Sequence, residues 1–478
     1  MGSTFVSIET AVRALRANQV ALQLTGQNIA NADTPGYSRQ VAVMAATAPY
    51  SYPGLTRSMT AGQIGTGVEV TQILRMRDSF IDAQIQGESS LKGEWEKRQE
   101  ILEYLEVVFN EPSDSGLSTR MNQFWDSLQE LVTRADDSSV RSAVRENAVV
   151  FIESIQQIHK QLVDLQQDLD FQLSVIVGQV NTIATQIANL NEVIGKVLGS
   201  GQSPNDLLDQ REQLVQQLAE LVNISVTTDQ NGRYNILVGG SILVAGDYVS
   251  PLTTKLNMEN QGLQEVIWRN NGSSTVITGG KLKGLLDMRD KEVQHYIDSI
   301  NAFASTLIRE FNAIHMSGYG LNNSTNKCFF SGTDASDIGI DPEILASLNN
   351  IAASVNVSTD SQYPSGAPGN GENALKLAQV ISQMKLMNGG TATLSQFYNE
   401  LIAKLGVDAE KANTTYENQD ALISYLKERQ ENVAGVSLDE ELANMIKYSN
   451  AYNAASRYLT TMDELLDRLI QGTGVVGR

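Results

Sequence analysis

The chain has 478 residues, a formal net charge of −20, one cysteine and three histidines. This length suffices for about three domains with sizeable cores. A single thiol excludes an intrachain disulfide framework, and the acidic balance argues against nucleic acid as a partner, because phosphate binding depends on Lys and Arg.

The N-terminal segment predicts one helix over residues 5–31. Its seam recurs at alternating spacings of four and three, with aliphatic residues at Ile8, Val12, Leu15, Leu22 and Ile29 and with Gln19 and Gly26 at the two remaining positions. A Pro-Gly pair at 35–36 ends this helix. Residues 38–75 place Gly and Pro between β-branched pairs, which predicts an extended connector with short strands.

The next region predicts helices from residue 76 to about 200. Its clearest feature is a heptad frame from Ile152 to Val197, which corresponds to a rod of roughly 70 Å. Glycines at 199 and 201 end this helix, and a second apolar stripe follows as far as residue 221. We therefore expect two antiparallel helices.

Between residues 222 and 280 the period of apolar residues changes to two. Turn signals at 229–232 and 270–272, each ending in Asn-Gly, predict two hairpins within a compact β insertion. Helix returns from residue 282 to about 314, and 317–373 is a loop-rich excursion with a short helical piece near Pro342. Helical pattern resumes over 373–387 and 394–433.

The last helix opens with a predicted capping box formed by Ser437 and Glu440. Both ends of the chain carry a heptad helix, so each is the natural packing partner of the other. The apolar seam of this last helix comprises Leu438, Leu442, Met445, Tyr452, Leu459, Leu466 and Ile470.

The sequence offers no constellation for catalysis or for metal binding. His159, His295 and His315 have no second His or Cys at ligand spacing. No stretch is apolar enough to span a membrane, and the N-terminus lacks the features of a cleaved secretory signal. We expect no catalytic residue, no cofactor, no metal and no membrane insertion.

The termini also carry a resemblance beyond periodicity. Residues 21–40 and 435–452 resemble the N- and C-terminal motifs of bacterial flagellar rod, hook and hook-associated proteins, and stretches at 205–211, 279–290 and 311–320 resemble the hook-associated protein 1 family. The N-terminal motif comprises Asn28, Ile29, Asn31, Thr34, Pro35, Gly36 and Tyr37. The C-terminal motif comprises Leu438, Asp439, Glu440, Glu441 and Tyr452.

This resemblance implies a mainly α fold with a β insertion. The expected parts are a coiled-coil polymer-core domain (1–37 with 437–478), the connector (38–75), a helical rod domain (76–221 with 281–436) and a small β-rich outer domain (222–280). Longer family members carry an additional outer domain, which we expect to be missing here.

The resemblance also implies a function, as a non-enzymatic structural component of the flagellum that forms the junction ring between hook and filament. The implied partners are copies of the same chain, the hook protein on one side, the filament-side junction protein on the other, and a cytosolic export chaperone that binds the C-terminal helix. Export through the flagellar type III channel, without cleavage, would make this a secreted protein located in the flagellum at the hook–filament junction.

Helical polymers need heterologous contacts between neighbouring subunits. We expect the terminal seams to be incompletely satisfied by their own pairing, to contact neighbouring copies, and to order on docking. For Tyr37 with Asn28 and Asn31, the alternatives are an intersubunit hydrogen-bonding corner and a local cap and turn. The alternative functions are a secreted coiled-coil surface protein or adhesin, and a cell-wall hydrolase of the flagellar export route.

Overall fold

A computed structural model describes residues 2–49, 65–355 and 369–473. Parts of the predicted connector (50–64) and of the predicted excursion (356–368) lie outside the described residues. Within the described ranges the chain is predominantly helical with a small β region, which confirms the predicted fold class.

The first half of the chain contains the long helices. Its elements are α1 (Gly2–Ala30), β1 (Gln40–Ala46), β2 (Val68–Arg75), α2 (Ser79–Phe109), α3 (Leu117–Thr133), α4 (Ser138–Gly199) and α5 (Asn205–Leu221).

The second half begins with short strands and returns to helix. Its elements are β3 (Ile224–Thr228), β4 (Tyr234–Val238), β5 (Ser241–Ala245), β6 (Tyr248–Val249), β7 (Leu252–Leu256), β8 (Gln264–Trp268), α6 (Gly280–Asp287), a π-helical turn (Met288–Val293), α7 (Gln294–Ser317), β9 (Phe330–Ser331), β10 (Gly339–Ile340), α8 (Pro342–Ala346), α9 (Glu372–Ser382), α10 (Leu394–Ala434) and α11 (Leu438–Thr473).

The 62-residue helix α4 is the axis of the rod and is about 90 Å long. Its N-terminus is capped by Asp137, whose carboxylate accepts a hydrogen bond from the Ser139 N–H. Apart from His159, the predicted seam is buried from Ile152 to Val180, but farther along Ile183, Leu190 and Val197 are only half-buried while Ala184 and Ala188 beside the seam are buried. This rotation is expected of a straight helix, since 3.6 residues per turn do not match a seven-residue repeat.

We call the end of the rod where α4 finishes and α5 begins its proximal end, and the end where α4 begins its distal end. The distal half has a dense aromatic core. One face of α7 is buried there, with Tyr296, Phe303 and Leu307 almost fully inaccessible. Phe124 lies within 5.7 Å of Phe311, measured between ring centroids.

The β insertion forms a four-stranded antiparallel sheet in the order β3-β4-β5-β6 and a separate β7-β8 pair. The predicted hairpin around 229–232 is confirmed, with Gly232 in the left-handed conformation at a φ of +74°. The second predicted hairpin forms only in part: the Trp268 N–H donates to the Ser273 carbonyl and the Thr275 N–H to the Val266 carbonyl around an Ile267–Ser274 bridge, whereas β8 pairs along its whole length with β7.

The insertion does not enclose a core of its own. Ile236, Val244 and Trp268 pack in one apolar cluster with Leu173 of α4 and Val215 of α5. A sheet this small buries too little apolar area to be stable alone, so it uses the proximal half of the rod as its second layer. The predicted β-rich segment 222–280 therefore packs directly on the rod, and its role as an outer domain stays a prediction.

The terminal helices α1 and α11 pack against each other, as predicted. They are antiparallel, because Asn28 near the end of α1 contacts Glu441 near the start of α11. The β1-β2 ribbon packs on the same α1 helix and leads the chain towards the rod.

His315 stabilises the excursion beyond α7 and makes the fold sensitive to acid. The ring is 1 % exposed, its Nε2 accepts from the Ala352 N–H, and its Nδ1 therefore carries the proton donated to the Lys327 carbonyl. Burial lowers the pKa of His315 to about 4, below its usual 6.5.

We predict that this histidine alone removes about 3 kcal/mol of stability as the pH falls from 6.5 towards 4, since the unfolded chain takes up the proton first. Urea unfolding of the wild type and of His315→Gln at pH 7.5 and pH 4.5 measures this contribution. We expect the variant to be less stable at pH 7.5 but to lose about 2–3 kcal/mol less on acidification. Equal losses in both proteins would contradict the prediction.

Candidate functional site

Three segments that are far apart in sequence meet at the proximal end of the rod. They are the turn after α1 with the start of β1 (28–40), the first turns of α5 (205–212), and the α10–α11 connection (434–441). We call this cluster the joint, because its side chains connect the terminal helix pair to the rod.

Asn28 is at the centre of the joint and is 1 % exposed. Its Nδ2 donates to the Gln40 carbonyl at 2.9 Å and to a Glu441 carboxylate oxygen at 3.2 Å. Its Oδ1 accepts from the Tyr37 hydroxyl at 2.9 Å and from the Gln40 N–H at 3.0 Å. One buried amide therefore fixes the turn after α1, the first residue of β1 and the start of α11 together.

The Tyr37 hydroxyl is held as a donor. Burial, reinforced by the negative charges of Asp206, Asp209 and Glu441, raises the pKa of Tyr37 to about 12. The phenol therefore stays protonated at neutral pH and keeps its hydrogen bond to Asn28. Asn28 and Tyr37 thus help to form the turn after α1, and an intersubunit role for this corner stays a prediction.

Asp209 of α5 connects the joint to the rod. Its carboxylate accepts from the Ser38 N–H at 2.9 Å and from the Ser38 hydroxyl at 2.6 Å. Arg75, the last residue of β2, donates to Asp209 at 2.8 Å and to Glu212, one turn later on α5, at 3.1 Å. These acids are almost fully buried, and the arginine compensates their charges.

Arg39 connects the joint to α11. Its guanidinium pairs with Glu441 at 2.8 Å and with Glu440 at 3.0 Å. The backbone N–H of Arg39 donates to the Ala434 carbonyl. The predicted capping box is only half formed: the Ser437 hydroxyl lies 3.5 Å from the Glu440 N–H, while the Glu440 carboxylate pairs with Arg39 instead. A guanidinium is a stronger hydrogen-bond donor to a carboxylate than a neutral backbone amide is, which explains the exchange.

The structure brings four of the motif residues together in the joint, namely Asn28, Tyr37, Glu440 and Glu441. Others shape the chain locally: Asn31 donates to the Gln27 carbonyl, Thr34 donates to Asn31, Pro35 lies in the same turn, and Gly36 adopts a φ of +80°. Ile29 is half-buried on α1, whereas Leu438, Asp439 and Tyr452 are exposed on α11 and make no contact in the joint.

The predicted assembly seam is not the most buried face of the terminal helices. On α1, Ile8, Val12, Leu15, Leu22 and Ile29 are half-buried. Within α1, full burial is instead found at Ala11, Ala17, Ala21, Leu24, Thr25 and Asn28. On α11, Met445, Leu459 and Leu466 are half-buried, and Leu438, Leu442, Tyr452 and Ile470 are exposed.

Sequence reasoning missed most residues of the joint as a group. They are Ser38, Arg39, Gln40, Arg75, Asp206, Asp209 and Glu212. The signal that could have found them was the family-like stretch 205–211, whose two aspartates lie three residues apart on one face of α5.

The described residues of the joint form a network of hydrogen bonds and ion pairs without a nucleophile–base pair. Its carboxylates are paired with arginines or with backbone and amide donors, and it contains no histidine or cysteine. Across the described ranges we find no group of three or more His, Cys, Asp or Glu placed to hold a metal ion. The helices described there include none with the length and hydropathy needed to cross a bilayer.

Three family models of flagellar proteins match separate stretches of the chain. The family model described as the flagellar hook-associated protein FlgK helical domain matches residues 102–330. The model for flagella basal body rod proteins matches 8–37, and that for the C-terminal part of flagellar basal body rod FlgEFG proteins matches 431–472.

Full-length relatives are similar to the whole chain. The flagellar hook-associated protein 1 of Bacillus subtilis is 32 % identical, with both chains covered completely. The protein of the same name from Salmonella typhimurium is 26 % identical over 97 % of this chain and 99 % of its own. The structure of the flagellar hook junction protein FlgK from Burkholderia pseudomallei superposes with a TM-score of 0.62 at 16 % identity, over 73 % of this chain and all of that one, which shows a shared fold.

Proposed function

This chain belongs to the flagellar hook-associated protein 1 family, and we propose that copies of it form the ring that joins hook to filament. It is a structural component of the bacterial flagellum and not an enzyme. Membership of this family decides against the adhesin and cell-wall hydrolase alternatives. The neighbours we propose are the hook protein on one side and the filament-side junction protein on the other.

The observation that carries the proposal is the apolar surface left over when α1 and α11 pair. Leu442, Ile446 and Leu465 are each about half exposed or more. A long helix pair with such residues in water is poorly stabilised by itself, because helices of this kind derive most of their stability from packing. Neighbouring copies that cover these side chains would order the terminal helices as the ring forms.

The small residues on α1 support the same arrangement. Ala11, Ala17 and Ala21 let α1 approach its own partners closely, while the larger seam residues beside them stay half-buried. The two faces of α1 would then make different contacts: the alanine face would pack within the chain, and the aliphatic face would contact the next subunit.

We propose that the exposed stripe of α11 is also what the export chaperone covers before secretion. A cytosolic monomer with apolar side chains such as Ile446 in water is prone to premature polymerisation. Binding of α11 by a chaperone would prevent this, and release during export would free the same side chains for assembly.

Deleting residues 440–478 tests the proposed function, and we expect hooks without attached filaments in electron micrographs. A finer variant, Leu442→Asp with Ile446→Asp, should have the same effect because both side chains are exposed in the single chain. The matched control is Asn450→Asp with Asn453→Asp, which adds the same charge at exposed polar positions of α11. Normal filament attachment with either the deletion or the apolar-stripe variant would overturn the proposal.

A further inference from the structure

The two large apolar clusters of the rod meet near its middle; a small third cluster is formed by Ile81, Ile85 and Leu426. On α4, the distal cluster ends at Leu169 and the proximal cluster begins at Leu173. Along the segment 280–317, the proximal cluster ends at Leu285 and the distal cluster begins at Met288. Both changes occur within one helical turn, so a boundary crosses the rod at this level.

The two other long helices are polar at the same level. In α2, no apolar side chain is fully buried between Ile85 and Ile101, although Trp95 is half-buried. In α10, none is fully buried between Ala412 and Ile423. These two stretches face each other, because α2 and α10 pack side by side through this region.

Polar contacts replace apolar packing at this boundary. Three consecutive residues of α2 each reach a different helix. The contacts are Lys97 to Gln172 of α4 at 3.3 Å, Arg98 to Asp287 of α6 at 2.6 Å, and Gln99 to Asn413 of α10 at 3.0 Å.

Arg289 completes this layer from the π-helical turn. It is 1 % exposed and pairs with Asp170 of α4 at 2.6 Å, and its carbonyl accepts from the Gln166 amide at 3.2 Å. Asp170 also accepts from the Gln264 N–H, so the β insertion meets the rod at the same level. We call this set the polar layer, defined by Lys97, Arg98, Gln99, Gln166, Asp170, Gln172, Asp287, Arg289 and Asn413.

The polar layer is incompletely satisfied. The Nε of Arg98 is buried without a hydrogen-bond partner, and so is Oε1 of Gln419 on the polar stretch of α10. The π-helical turn 288–293 adds an irregularity to the helical segment that crosses the layer. Such turns are frequent at functional sites and are a recognised cause of helix kinks.

We propose that the polar layer is a flexure point at which the two apolar halves of the rod tilt relative to each other. Close-packed apolar clusters resist deformation, whereas a segment with few buried apolar contacts opens at lower free energy. Long Lys, Arg and Gln side chains keep hydrogen bonds through small displacements that would break interdigitated aliphatic contacts. This inference rests on the proposed function in one respect: a subunit between two different lattices gains from a rod that can bend.

Hydrogen–deuterium exchange on the isolated full-length chain tests the proposal. We expect amides in 94–100, 166–172, 287–294 and 413–420 to exchange at least roughly ten-fold faster than those in flanking turns, such as 155–162 and 176–184 of α4. Equal protection on both sides and within the layer would overturn it, and would indicate that the buried ion pairs lock the rod instead. The measurement needs no assembled flagellum, so its result is independent of whether the ring function is correct.

A paired substitution tests the cause. Arg98→Leu with Asp287→Leu removes this contact together with the pairings of Arg98 to Glu94 and of Asp287 to Lys283 and Lys291. Because it also extends apolar packing into the layer, exchange there should slow by roughly ten-fold with the flanks unchanged. The matched control, Glu192→Gln with Lys196→Gln, removes an exposed ion pair on α4 and should change nothing in the layer. Unaltered exchange in the folded Leu variant would contradict the proposal. If that variant fails to fold, the hydrogen–deuterium exchange profile of the wild-type chain alone tests the proposal.

Discussion

Replacing Asn28 by alanine is expected to lower the free energy of unfolding by about 3 kcal/mol. The side chain is buried and makes four hydrogen bonds. Its removal leaves the Tyr37 hydroxyl, both backbone groups of Gln40 and one Glu441 oxygen short of a partner. Urea unfolding followed by circular dichroism measures the loss.

The matched control for this prediction is Asn31→Ala. Asn31 lies one turn after Asn28, but its amide bonds only to the nearby Gln27 carbonyl and the Thr34 hydroxyl. We expect this change to cost less than about 1 kcal/mol. Comparable losses in the two variants would show that the joint does not depend on its central amide.

The same pair of variants has a consequence for assembly. Asn28 holds the start of α11 through Glu441, so Asn28→Ala should also misalign the terminal helices relative to the rod. We therefore expect fewer filament-bearing hooks with Asn28→Ala than with Asn31→Ala at a temperature where both proteins are folded. This comparison distinguishes an effect of helix orientation on filament attachment from an effect of losing the folded helices.

Local signals sufficed to predict the helices, because periodicity and capping residues act within a few turns. The helix over 5–31, the α4 rod and the Pro342 helix were all predicted in this way. The pairing of strands was harder to predict. The β7 strand, Leu252–Leu256, contains two threonines and a lysine and gave no strong pattern, so its pairing with β8 was missed.

The joint could not be predicted as a unit, because its partners are distant in sequence. Asn28 and Glu441 are separated by 413 positions, and Ser38 and Asp209 by 171. The motifs identified the residues at each terminus but carried no information on which of them meet. The seam of α1 shows a related limit: the heptad pattern weights large aliphatic side chains, whereas close helix packing buries small ones such as Ala17 and Ala21.

Replacing Gly93 by alanine is expected to lower the free energy of unfolding by about 3 kcal/mol, because the added methyl group would force two helix backbones apart. A Cβ at this position would lie 2.2 Å from the backbone carbonyl oxygen of Glu220 near the end of α5, far inside any normal contact. Backbone atoms cannot swing aside as a side chain does, so α2 and α5 would have to move apart. Since Asp209 and Glu212 of α5 hold the joint, the displacement would extend to the terminal helices.

Gly87→Ala is the control within the same helix. No atom lies within 4 Å of a Cβ built at Gly87, so alanine there should stabilise α2 by up to about 1 kcal/mol through its higher helix propensity. The same glycine-to-alanine substitution is therefore expected to lower the free energy of unfolding at one position of α2 and to raise it at another position six residues away. Thermal or urea unfolding of both variants measures this, and a neutral or stabilising Gly93→Ala would show that the close approach of α2 to α5 is not what positions the joint.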